Sequence, residues 1–486
     1  MASFTHQYKK IGSIKDPDES ETKSDKVKKE TSNLKDPLHV WIGMGRDQAQ
    51  TLKAMIEDTF TPKTGIPVDL ELISGMGRLL IPAIVAGTSP DVAIGAAKMR
   101  LAFRGALADM TQFPDFNKIK KRFKKSAFVP FTFRDKVWAI PEKQSFAMLF
   151  YRKDILDELG LKVPKTWQDV YEILPVLQRH NMNFGLRPNM GSMMMFLYQN
   201  EISLFEPDMV ETNLDSETSI QLFKQMSNLY TLYNLPIVFN NRNRFRMGEM
   251  PLLIGGYNLY NSFQVFAPEL RGEWSFTMIP GFRLSDGDVH HTCPVTGTGK
   301  TGLKQGARAS GKRSNSVTGL AGAATTGTVI LKNSTRKQKA WEFVKWWTAA
   351  DQQARFGREL EAIMGSAARY ATANIEALQR LPWDPEMKEE LNKQWDWVEG
   401  IPPVPGGYYV TRQFNWLYRA VVLNNKPIRE SVQDYTRKAD KEIARKRSEF
   451  GYETNLEDVD EKWLRMYWDN MSQVNKLELD QYKRRH

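Results

Sequence analysis

The run LHVWIG at positions 38–43 opens the stretch of sequence that decides the fold. It is short, apolar and closed by glycine, a pattern that is typical of a buried strand. Two further strands are predicted, VDLELI at 68–73 and PDVAIG at 90–95, and apolar residues at helical spacing fill the intervals at 48–60 and 78–85. Three strands that alternate with two helices through short connections predict a parallel sheet with right-handed crossovers.

A second alternation of strands and helices follows further along the chain. The runs QSFAMLFYRKD at 144–154 and PLLIGG at 251–256 are predicted strands. Thr166 is a predicted helix N-cap, with Asp169 at the capping-box position. Pro141–Lys143, just before the first of these strands, is a place where the chain could leave one lobe for another.

The composition is that of an ordinary soluble globular protein. Of the 486 residues, 41% are hydrophobic and 26% are charged, and no apolar run approaches the ~18 residues that cross a bilayer. Residues 1–36 are polar and mixed in charge, which predicts a disordered tether. The single cysteine, Cys293, excludes an internal disulfide and a cysteine-based zinc site.

The formal net charge of +11 is unevenly distributed. Between positions 289 and 341 there are nine lysines and arginines and no acidic residue. Within this segment, residues 296–326 are rich in glycine, serine, threonine and lysine, which predicts a mobile basic insertion. Such a patch can bind nucleic acid or an anionic polymer, but a solvated surface is the more common outcome, and we expect no nucleic-acid partner.

Catalytic and metal-binding motifs are not evident in the sequence. No histidine lies in an HExxH motif, and no G-x-S-x-G elbow is present. A glycosidase needs two facing carboxylates, and a pair of that kind cannot be recognised among 57 acidic residues from sequence alone. We therefore predict no catalytic residue, no metal ligand and no cofactor.

Several segments occur in an order that resembles one protein family. They are GTSPDVAI at 87–94, GALADM at 105–110, KVWAIPEKQSFAMLFYRKDILDELGLKVPKTWQDV at 136–170, MGEMPLLIGGYN at 247–258, WSFTMIPGF at 274–282 and TGTVILKNSTRKQKAWEFVKWWT at 326–348. Together they resemble the extracellular solute-binding proteins of bacterial ABC importers, in the maltose-binding-like carbohydrate group. The resemblance covers about Leu38 to Phe450.

The resemblance implies an α/β, two-lobed periplasmic-binding-protein fold. Each lobe would be a mostly parallel sheet flanked by helices, and a three-crossing hinge would join the lobes near 141–144, 278–282 and 348–351. The implied division of the chain is a tether at 1–36, an N-terminal lobe at 37–142 and 281–348, a C-terminal lobe at 143–280 and 349–486, and the basic insertion at 296–326.

The resemblance also implies a function. The chain would be a monomeric, extracellular or periplasmic subunit that captures an oligosaccharide by hinge closure and delivers it to the transmembrane subunits of the importer. In a Gram-positive cell it would be a lipoprotein, anchored through a cysteine before Ser3 that this chain lacks. Two alternatives stay open: a polysaccharide-active enzyme on the same scaffold, and a basic protein that binds a surface polymer.

Sugar recognition needs aromatic faces for the apolar side of a pyranose and planar polar groups for its hydroxyls. Loops at strand ends, the hinge strand and a late Pro/Gly/Tyr loop supply candidates. They are Met44, Arg46, Asp47, Met76, Arg78, Lys98, Glu142, Gln144, Asn189, Tyr257, Asn258, Tyr260, Tyr408, Tyr409 and Arg412. The cations among them would suit a uronate-containing sugar. Trp383 and Trp395 are more typical of packing residues.

Overall fold

The computed structural model describes residues 36–206, 209–297 and 323–452. Their contacts divide the chain into two compact units. Unit 1 contains the described residues up to Lys124, together with Lys136–Lys143 and Thr326–Leu381. Unit 2 contains Lys125–Asp135, the described residues of Gln144–Thr325, and those from Pro382 onward.

Strands and helices alternate along both units, as the sequence predicts. Within the described residues the strands are β1 (Leu38–Ile42), β2 (Val68–Leu72), β3 (Val92–Ile94), β4 (Thr132–Phe133), β5 (Lys136–Val137), β6 (Ile140–Ser145), β7 (Ala147–Arg152), β8 (Phe184–Gly185), β9 (Leu252–Gly256), β10 (Trp274–Thr277), β11 (Phe282–Arg283), β12 (Val289–His290), β13 (Cys293–Val295), β14 (Ala324–Ile330) and β15 (Val398–Gly400).

The α-helices of the same residues range from four to 22 residues in length. They are α1 (Arg46–Met55), α2 (Thr61–Thr64), α3 (Met76–Val85), α4 (Met99–Phe103), α5 (Phe116–Lys120), α6 (Lys125–Phe128), α7 (Lys153–Glu158), α8 (Trp167–Arg179), α9 (Met190–Gln199), α10 (Glu217–Thr231), α11 (Asn241–Arg246), α12 (Leu259–Phe266), α13 (Lys337–Trp347), α14 (Ala350–Met364), α15 (Ile375–Gln379), α16 (Pro385–Asp396), α17 (Tyr408–Tyr418) and α18 (Ile428–Glu449).

The unit 1 sheet has the strand order β2–β1–β3–β14–β6. Strand β1 pairs in parallel with both β2 and β3, which confirms the parallel sheet predicted from residues 38–95. The side chains of Leu38, Val40 and Ile42 are fully buried, as expected when helices cover a parallel sheet. Strand β14 joins the other side of β3 antiparallel, with Ile330 opposite Val92.

Aromatic rings of α13 pack inside unit 1. Trp341 stacks on Phe113 with ring centroids 4.4 Å apart, and Trp347 meets Phe356 edge-on at 5.0 Å. Both tryptophans are fully buried. Their role is therefore core packing, which their helical spacing in the sequence also favours.

The unit 2 sheet has the order β10–β7–β9–β8. Its strands are not mostly parallel, so that expectation is wrong for this lobe: β10–β7 and β7–β9 are antiparallel, and only β8–β9 is parallel. Strand β7 begins with Ala147 opposite Gly256, the last residue of β9. Because β7 and β9 are buried on both faces, their apolar runs look the same in either direction.

The first turn of α8 has the predicted cap. The Thr166 hydroxyl accepts a hydrogen bond from the Asp169 amide at 3.1 Å, and the Asp169 carboxylate accepts one from the Thr166 amide at 2.9 Å. Two of the unpaired N-terminal groups of the helix are satisfied in this way. Burial raises the pKa of the Asp169 carboxyl, but hydrogen bonds from the Thr166 and Lys165 amides to the carboxylate outweigh it and hold the pKa below its usual range.

The predicted lobe boundaries differ from the two units at 281–325 and 349–381, and Lys125–Asp135, which the prediction gave to the N-terminal lobe, also belongs to unit 2. Strand β13 pairs with β15, which places the first stretch in unit 2, and α14 packs against α1, which places the second in unit 1. The chain passes between the units at Lys143–Gln144, and no passage lies near 278–282 or 348–351. The boundaries are set by these non-local pairings, which the order of elements along the chain does not reveal.

Two other predicted segments fall largely outside the described residues. Residues 1–35 of the tether are not described, whereas Asp36 at its end accepts a hydrogen bond from Lys339 Nζ at 2.8 Å. Residues 298–322 of the basic insertion are likewise not described. Both predictions therefore stay untested over those residues.

Candidate ligand-binding site

The loops after β1, β2 and β3 lie at one edge of the unit 1 sheet, because these parallel strands run in the same direction. We call residues 43–47, 73–78 and 95–98 the unit 1 edge. Gly43 packs against Met76, since a Cβ atom at position 43 would lie 3.0 Å from Met76 Cε. Met76 is buried and Met44 is half-buried, so these two predicted contact residues help to pack the loops together.

Lys98 and Arg100 approach the first turn of α3. A Cβ atom at Gly77 would lie 2.5 Å from Lys98 Nζ, so the lysine ammonium lies directly against the Gly77 backbone. Arg100 Nη2 donates a hydrogen bond to the Gly77 carbonyl at 2.9 Å. The structure thus brings the loops after β2 and β3 together and adds Arg100, which the sequence analysis did not select.

Arg46, Asp47 and Arg78 are exposed at the unit 1 edge. Neither guanidinium group has a hydrogen-bonded or ion-paired partner among the residues that the structure describes. Arg46 is the first residue of α1, where the helix dipole disfavours a cation. The position of Arg46 is therefore not explained by helix stability, and the guanidinium is available to an anionic group.

Glu142 is buried inside unit 1 and fully engaged there. Its carboxylate accepts hydrogen bonds from Thr326 Oγ1 at 3.1 Å, Thr328 Oγ1 at 2.8 Å and Trp347 Nε1 at 3.4 Å. Its side chain also lies against Gly95, where a Cβ atom would meet Oε1 at 3.3 Å. In this arrangement the Glu142 carboxylate fixes protein groups.

Gln144 plays a similar part inside unit 2. Its Oε1 accepts a hydrogen bond from Trp395 Nε1 at 2.7 Å, and its Nε2 donates to Thr325 Oγ1 at 3.3 Å and Ser126 Oγ at 3.5 Å. Its backbone carbonyl accepts from the Tyr257 hydroxyl at 2.8 Å. The Gln144 side chain is 1% exposed, so these bonds form in a dry environment.

The start of β7 and the end of β9 meet at one edge of the unit 2 sheet. We call residues 144–147 and 257–260, with the aromatic residues that contact them, the unit 2 edge. Tyr257 lies 4.9 Å from Phe146 and 6.0 Å from Trp383 between ring centroids, and Phe146 stacks on Trp395 at 6.1 Å. Burial raises the pKa of the Tyr257 phenol far above its usual value.

Tyr260 belongs to the same aromatic cluster. Its ring lies 5.2 Å from Trp383 and 5.6 Å from Trp274. Tyr257 and Tyr260 are 2% and 7% exposed, so the predicted sugar-stacking rings are packed against other aromatic rings. Trp383 and Trp395, which the sequence assigned to packing, join them, and the Trp395 contact with Gln144 is a polar role that its sequence pattern could not show.

The two predicted asparagines of unit 2 lie at helix starts. Asn189 caps α9 by accepting a hydrogen bond from the Ser192 amide at 3.1 Å, while its buried Nδ2 has no protein partner among the described residues. Asn258 directly precedes α12 and is half-buried. The cap accounts for Asn189 Oδ1 but leaves its amide nitrogen available.

The late loop places its three candidates at the start of α17. Tyr408 is 63% exposed and donates a hydrogen bond to Glu442 at 2.6 Å, which fixes the ring beside α18. Arg412, one turn later, lies 5.6 Å over the ring of half-buried Tyr409. This arrangement presents an exposed aromatic ring and an exposed guanidinium on one helix, a pairing suited to a sugar that carries an acidic group.

A separate cavity of about 580 Å³ lies in unit 2 between α18 and the segment before α10. Its lining includes Thr212, Arg437 and Asp440, and the Asp440 carboxylate accepts hydrogen bonds from the Thr212 amide and hydroxyl. Burial raises the pKa of Asp440 to about 7. None of the predicted site residues lines this cavity.

The described part of the chain contains neither a candidate membrane-spanning helix nor a candidate metal site. No helix there combines the length and the apolar character that a membrane crossing requires. The described histidine, cysteine and acidic side chains form no group of three or more that could hold a metal ion.

Two units of strands and helices, each with candidate residues at a sheet edge, are features of a binding-protein fold. The sequence profile of the bacterial extracellular solute-binding proteins matches residues 45–354. This chain therefore belongs to the bacterial extracellular solute-binding protein family. The family resemblance inferred from the sequence is confirmed.

Individual relatives agree with this assignment. A multiple sugar-binding protein of Streptococcus mutans is 27% identical over 160 residues, which are 32% of this chain and 34% of that protein. The match thus spans about a third of the relative's length. The sugar-binding protein MalE of Xanthomonas citri has a TM-score of 0.68 at 18% identity, over 86% of this chain and 100% of that one. The Listeria monocytogenes MalE–maltose complex gives 0.62 at 15%, over 84% and 98%. At these identities the two structures establish the fold.

Proposed function

We propose that this chain is the carbohydrate-binding subunit of an ABC importer, which captures an oligosaccharide by hinge closure and delivers it to transmembrane subunits. The observation that carries the proposal is the unit 1 edge, where the exposed side chains of Arg46, Asp47 and Arg78 lie at the ends of parallel strands and have no partner among the described residues. Ligands of open α/β sheets bind at this end of the strands. The sugar ligands named for the S. mutans and Listeria relatives support a carbohydrate.

The proposed ligand contacts are the exposed side chains among the predicted residues. In unit 1 they are Arg46, Asp47 and Arg78, and in unit 2 Tyr408 and Arg412. The remaining predicted residues support the loops or the aromatic cluster. A polar group whose hydrogen bonds are already satisfied inside the protein would have to break them to bind a sugar, and each broken bond would cost free energy.

The proposed ligand carries a uronate. Arg46, Arg78 and Arg412 all lack a carboxylate partner among the described residues, and guanidinium groups bind carboxylates with two parallel hydrogen bonds. The starts of α1 and α3 at the unit 1 edge add partial positive charge from their unpaired amides. A neutral sugar would gain less from this charge, because its hydroxyl groups accept hydrogen bonds from a guanidinium without forming an ion pair.

A matched pair of ligands tests the proposal. Trigalacturonate and its methyl-esterified form differ only in the charge and esterification of the carboxyl groups, so calorimetry and thermal shift on both isolate the contribution of charge. We expect the charged form to bind more tightly, and a ligand at 100 times its Kd to stabilise the protein by about 2.7 kcal/mol. Equal binding would contradict the uronate, and no binding by these or by neutral maltodextrins would contradict the sugar-binding function.

Variants identify the contacts. Arg46→Gln and Arg78→Gln should each weaken trigalacturonate binding by about tenfold or more, because each removes a charge-assisted hydrogen bond to a carboxylate, and should weaken binding of the ester less. Lys63→Gln removes an exposed cation elsewhere in unit 1 and serves as the control. An equal loss in the control would attribute the effect to overall charge.

Two further parts of the proposal have their own tests. A binding protein releases its ligand unchanged, so chromatography after long incubation should recover intact trigalacturonate, whereas shorter products would support the enzyme alternative. We also propose that the protein acts outside the cytoplasm, at the cell surface or in the periplasm. Fractionation of the producing cells should then recover it from the surface or periplasmic fraction, and recovery with the cytoplasmic proteins would contradict this proposal.

A further inference from the structure

The chain passes between unit 1 and unit 2 at five points. Two of them, Lys143–Gln144 in β6 and Thr325–Thr326 in β14, lie in strands that are neighbours in one sheet. The side chains on either side of Lys143 are Glu142 and Gln144, both 1% exposed. Glu142 forms hydrogen bonds with other segments of unit 1, and Gln144 forms hydrogen bonds with other segments of unit 2.

On the unit 1 side, Glu142 joins three segments. Its carboxylate holds β14 through Thr326 and Thr328 and holds the end of α13 through Trp347. Its backbone carbonyl accepts a hydrogen bond from the Ala373 amide at 2.9 Å, in the segment that leads to the boundary after Leu381. Hydrogen bonds to a charged group are about twice as strong as neutral ones, so this attachment is firm.

On the unit 2 side, Gln144 joins three segments, one of which is the unit 2 end of β14. Its carboxamide holds Ser126, the second residue after the boundary at Lys124, and Thr325, the last unit 2 residue before the boundary in β14. It also holds Trp395 in α16, which follows the boundary after Leu381. Every one of these contacts lies inside unit 2.

Lys143 lies between the two attachments and has no comparable set of bonds. Its Nζ lies 4.8 Å over the ring of Tyr370, and its backbone forms an isolated bridge with Thr372. Burial lowers the pKa of its ammonium, while the Glu142 charge raises it. A cation–π contact of this kind is worth about 0.5–2 kcal/mol, less than the three hydrogen bonds to the Glu142 carboxylate together.

We propose that Glu142 and Gln144 are positioning residues that fix β6 and β14 on the two sides of Lys143 and do not bind the ligand. Within β6 and β14, bending is then confined to the Lys143–Gln144 and Thr325–Thr326 links. Bending at Glu142 or Gln144 themselves would break buried hydrogen bonds and leave polar groups unpaired. This inference rests on the proposed function, because hinge closure is the motion that such bending would serve.

Spin labels test the proposal in the ligand-free protein. Lys63→Cys in unit 1 and Lys224→Cys in unit 2 are exposed labelling positions, and the native Cys293 is fully buried, so it should not be labelled. In this background Glu142→Gln and Gln144→Ala should each broaden the distribution of label-to-label distances. Amide hydrogen exchange at Thr325–Thr328 should become about tenfold faster, as expected for the loss of one strong hydrogen bond.

Milder substitutions keep the proposal testable even if Glu142→Gln or Gln144→Ala fails to fold. Thr328→Val and Thr325→Val each remove one hydroxyl bonded to Glu142 or Gln144 and should give the same changes to a smaller degree. Thr51→Val is the matched control, because the buried Thr51 hydroxyl has no hydrogen-bond partner among the described residues. Unchanged distance distributions in folded Thr328→Val and Thr325→Val proteins, or an equal change in Thr51→Val, would overturn the proposal.

The result is independent of the sugar-binding test. If neither trigalacturonate nor maltodextrins shift the distances in the unsubstituted protein, the proposed function fails while the ligand-free comparison still decides the role of Glu142 and Gln144. Suppose that the unsubstituted protein binds the sugar. If Glu142→Gln broadens the distribution of label-to-label distances and weakens sugar binding only by increasing the off-rate, the positioning role is supported. A loss of binding without any broadening would instead make Glu142 a ligand contact and overturn the inference.

Discussion

The two sheet edges carry predicted ligand residues in different states. At the unit 1 edge, Arg46, Asp47 and Arg78 are exposed, and the arginines have no partner among the described residues. At the unit 2 edge, Tyr257 and Tyr260 are buried among aromatic rings. Residue types suited to sugar binding thus occur in both places, but only at the unit 1 edge do they remain free to bind.

The difference shows that polar and aromatic residues at strand ends can have either of two roles. Those whose side chains already contact other protein groups stabilise the fold, whereas those without such contacts can bind a ligand. A buried aromatic cluster contributes through area removed from water, roughly 25 cal/mol per Å². An exposed arginine contributes little to stability. Substitutions should therefore affect stability at the unit 2 edge and binding at the unit 1 edge.

The largest expected effect on stability is that of Trp395→Ala. It empties a fully packed site and leaves the Gln144 oxygen without its donor, so we expect a loss of about 3–5 kcal/mol in the free energy of unfolding. Urea unfolding measures it. Trp416→Ala, which removes a 48% exposed ring from α17, is the control and should cost less than 1 kcal/mol by the same rule for surface positions. Similar losses of unfolding free energy in Trp395→Ala and Trp416→Ala would contradict a special stabilising role of the unit 2 edge.

Tyr257→Phe is a milder test at the same edge. It keeps the ring and removes only the hydroxyl that donates to the Gln144 carbonyl, so the buried carbonyl loses a partner. We expect a loss of about 1–3 kcal/mol, again from urea unfolding. Tyr408→Phe removes an exposed hydroxyl that bonds to Glu442 and should cost at most about 1 kcal/mol. The opposite order would show that the Tyr257 hydroxyl is not a structural group.

Much of the fold could be predicted from the sequence because local patterns encode it. Strands β1, β2 and β3 follow from apolar runs, and the start of α8 follows from the Thr166–Asp169 pair. The direction of β7 could not be predicted, since its buried run has no preferred orientation. The assignment of β13 to unit 2 depends on pairing with Val398–Gly400, about a hundred residues away.

The candidate site was harder to predict for a related reason. Sequence patterns identified Glu142 and Gln144 as polar residues in a strand, but their partners Thr328 and Trp395 are distant in the chain. Nothing local distinguishes a carboxylate that accepts three protein hydrogen bonds from one that faces a ligand. Arg100 gave a weak signal, as a second cation two residues after Lys98.

Asp440 in α18, away from both sheet edges, should make the stability of the protein depend on pH. The pKa of Asp440 is raised from 3.8 to about 7 by burial, so the folded state holds a proton that the unfolded chain releases above pH 3.8. The contribution of Asp440 to the free energy of unfolding is therefore fully present below pH 3.8 and is lost as the pH rises to about 7. Asp440→Asn should remove this loss and stabilise the protein at pH 8 by about 1 kcal/mol, a value discounted for partial exposure.

Thermal unfolding at pH 4 and pH 8 measures this effect. The asparagine keeps the oxygen that accepts from Thr212, so the hydrogen bonds should survive the substitution. Asp434→Asn, on the same helix, removes an exposed carboxylate paired with Lys438 and is the control for charge. A gain at pH 8 in both variants would assign the effect to the net charge of α18.

The smallest expected effect on stability belongs to the double variant Arg46→Gln, Arg78→Gln. Both side chains are exposed without partners among the described residues, and the loss of Arg46 also relieves an unfavourable interaction with the start of α1. The free energy of unfolding should therefore change by less than about 0.5 kcal/mol, while trigalacturonate binding falls. A substantial loss of stability would mean that the arginines belong to the scaffold, as Tyr257 does, and the contrast between the two edges would disappear.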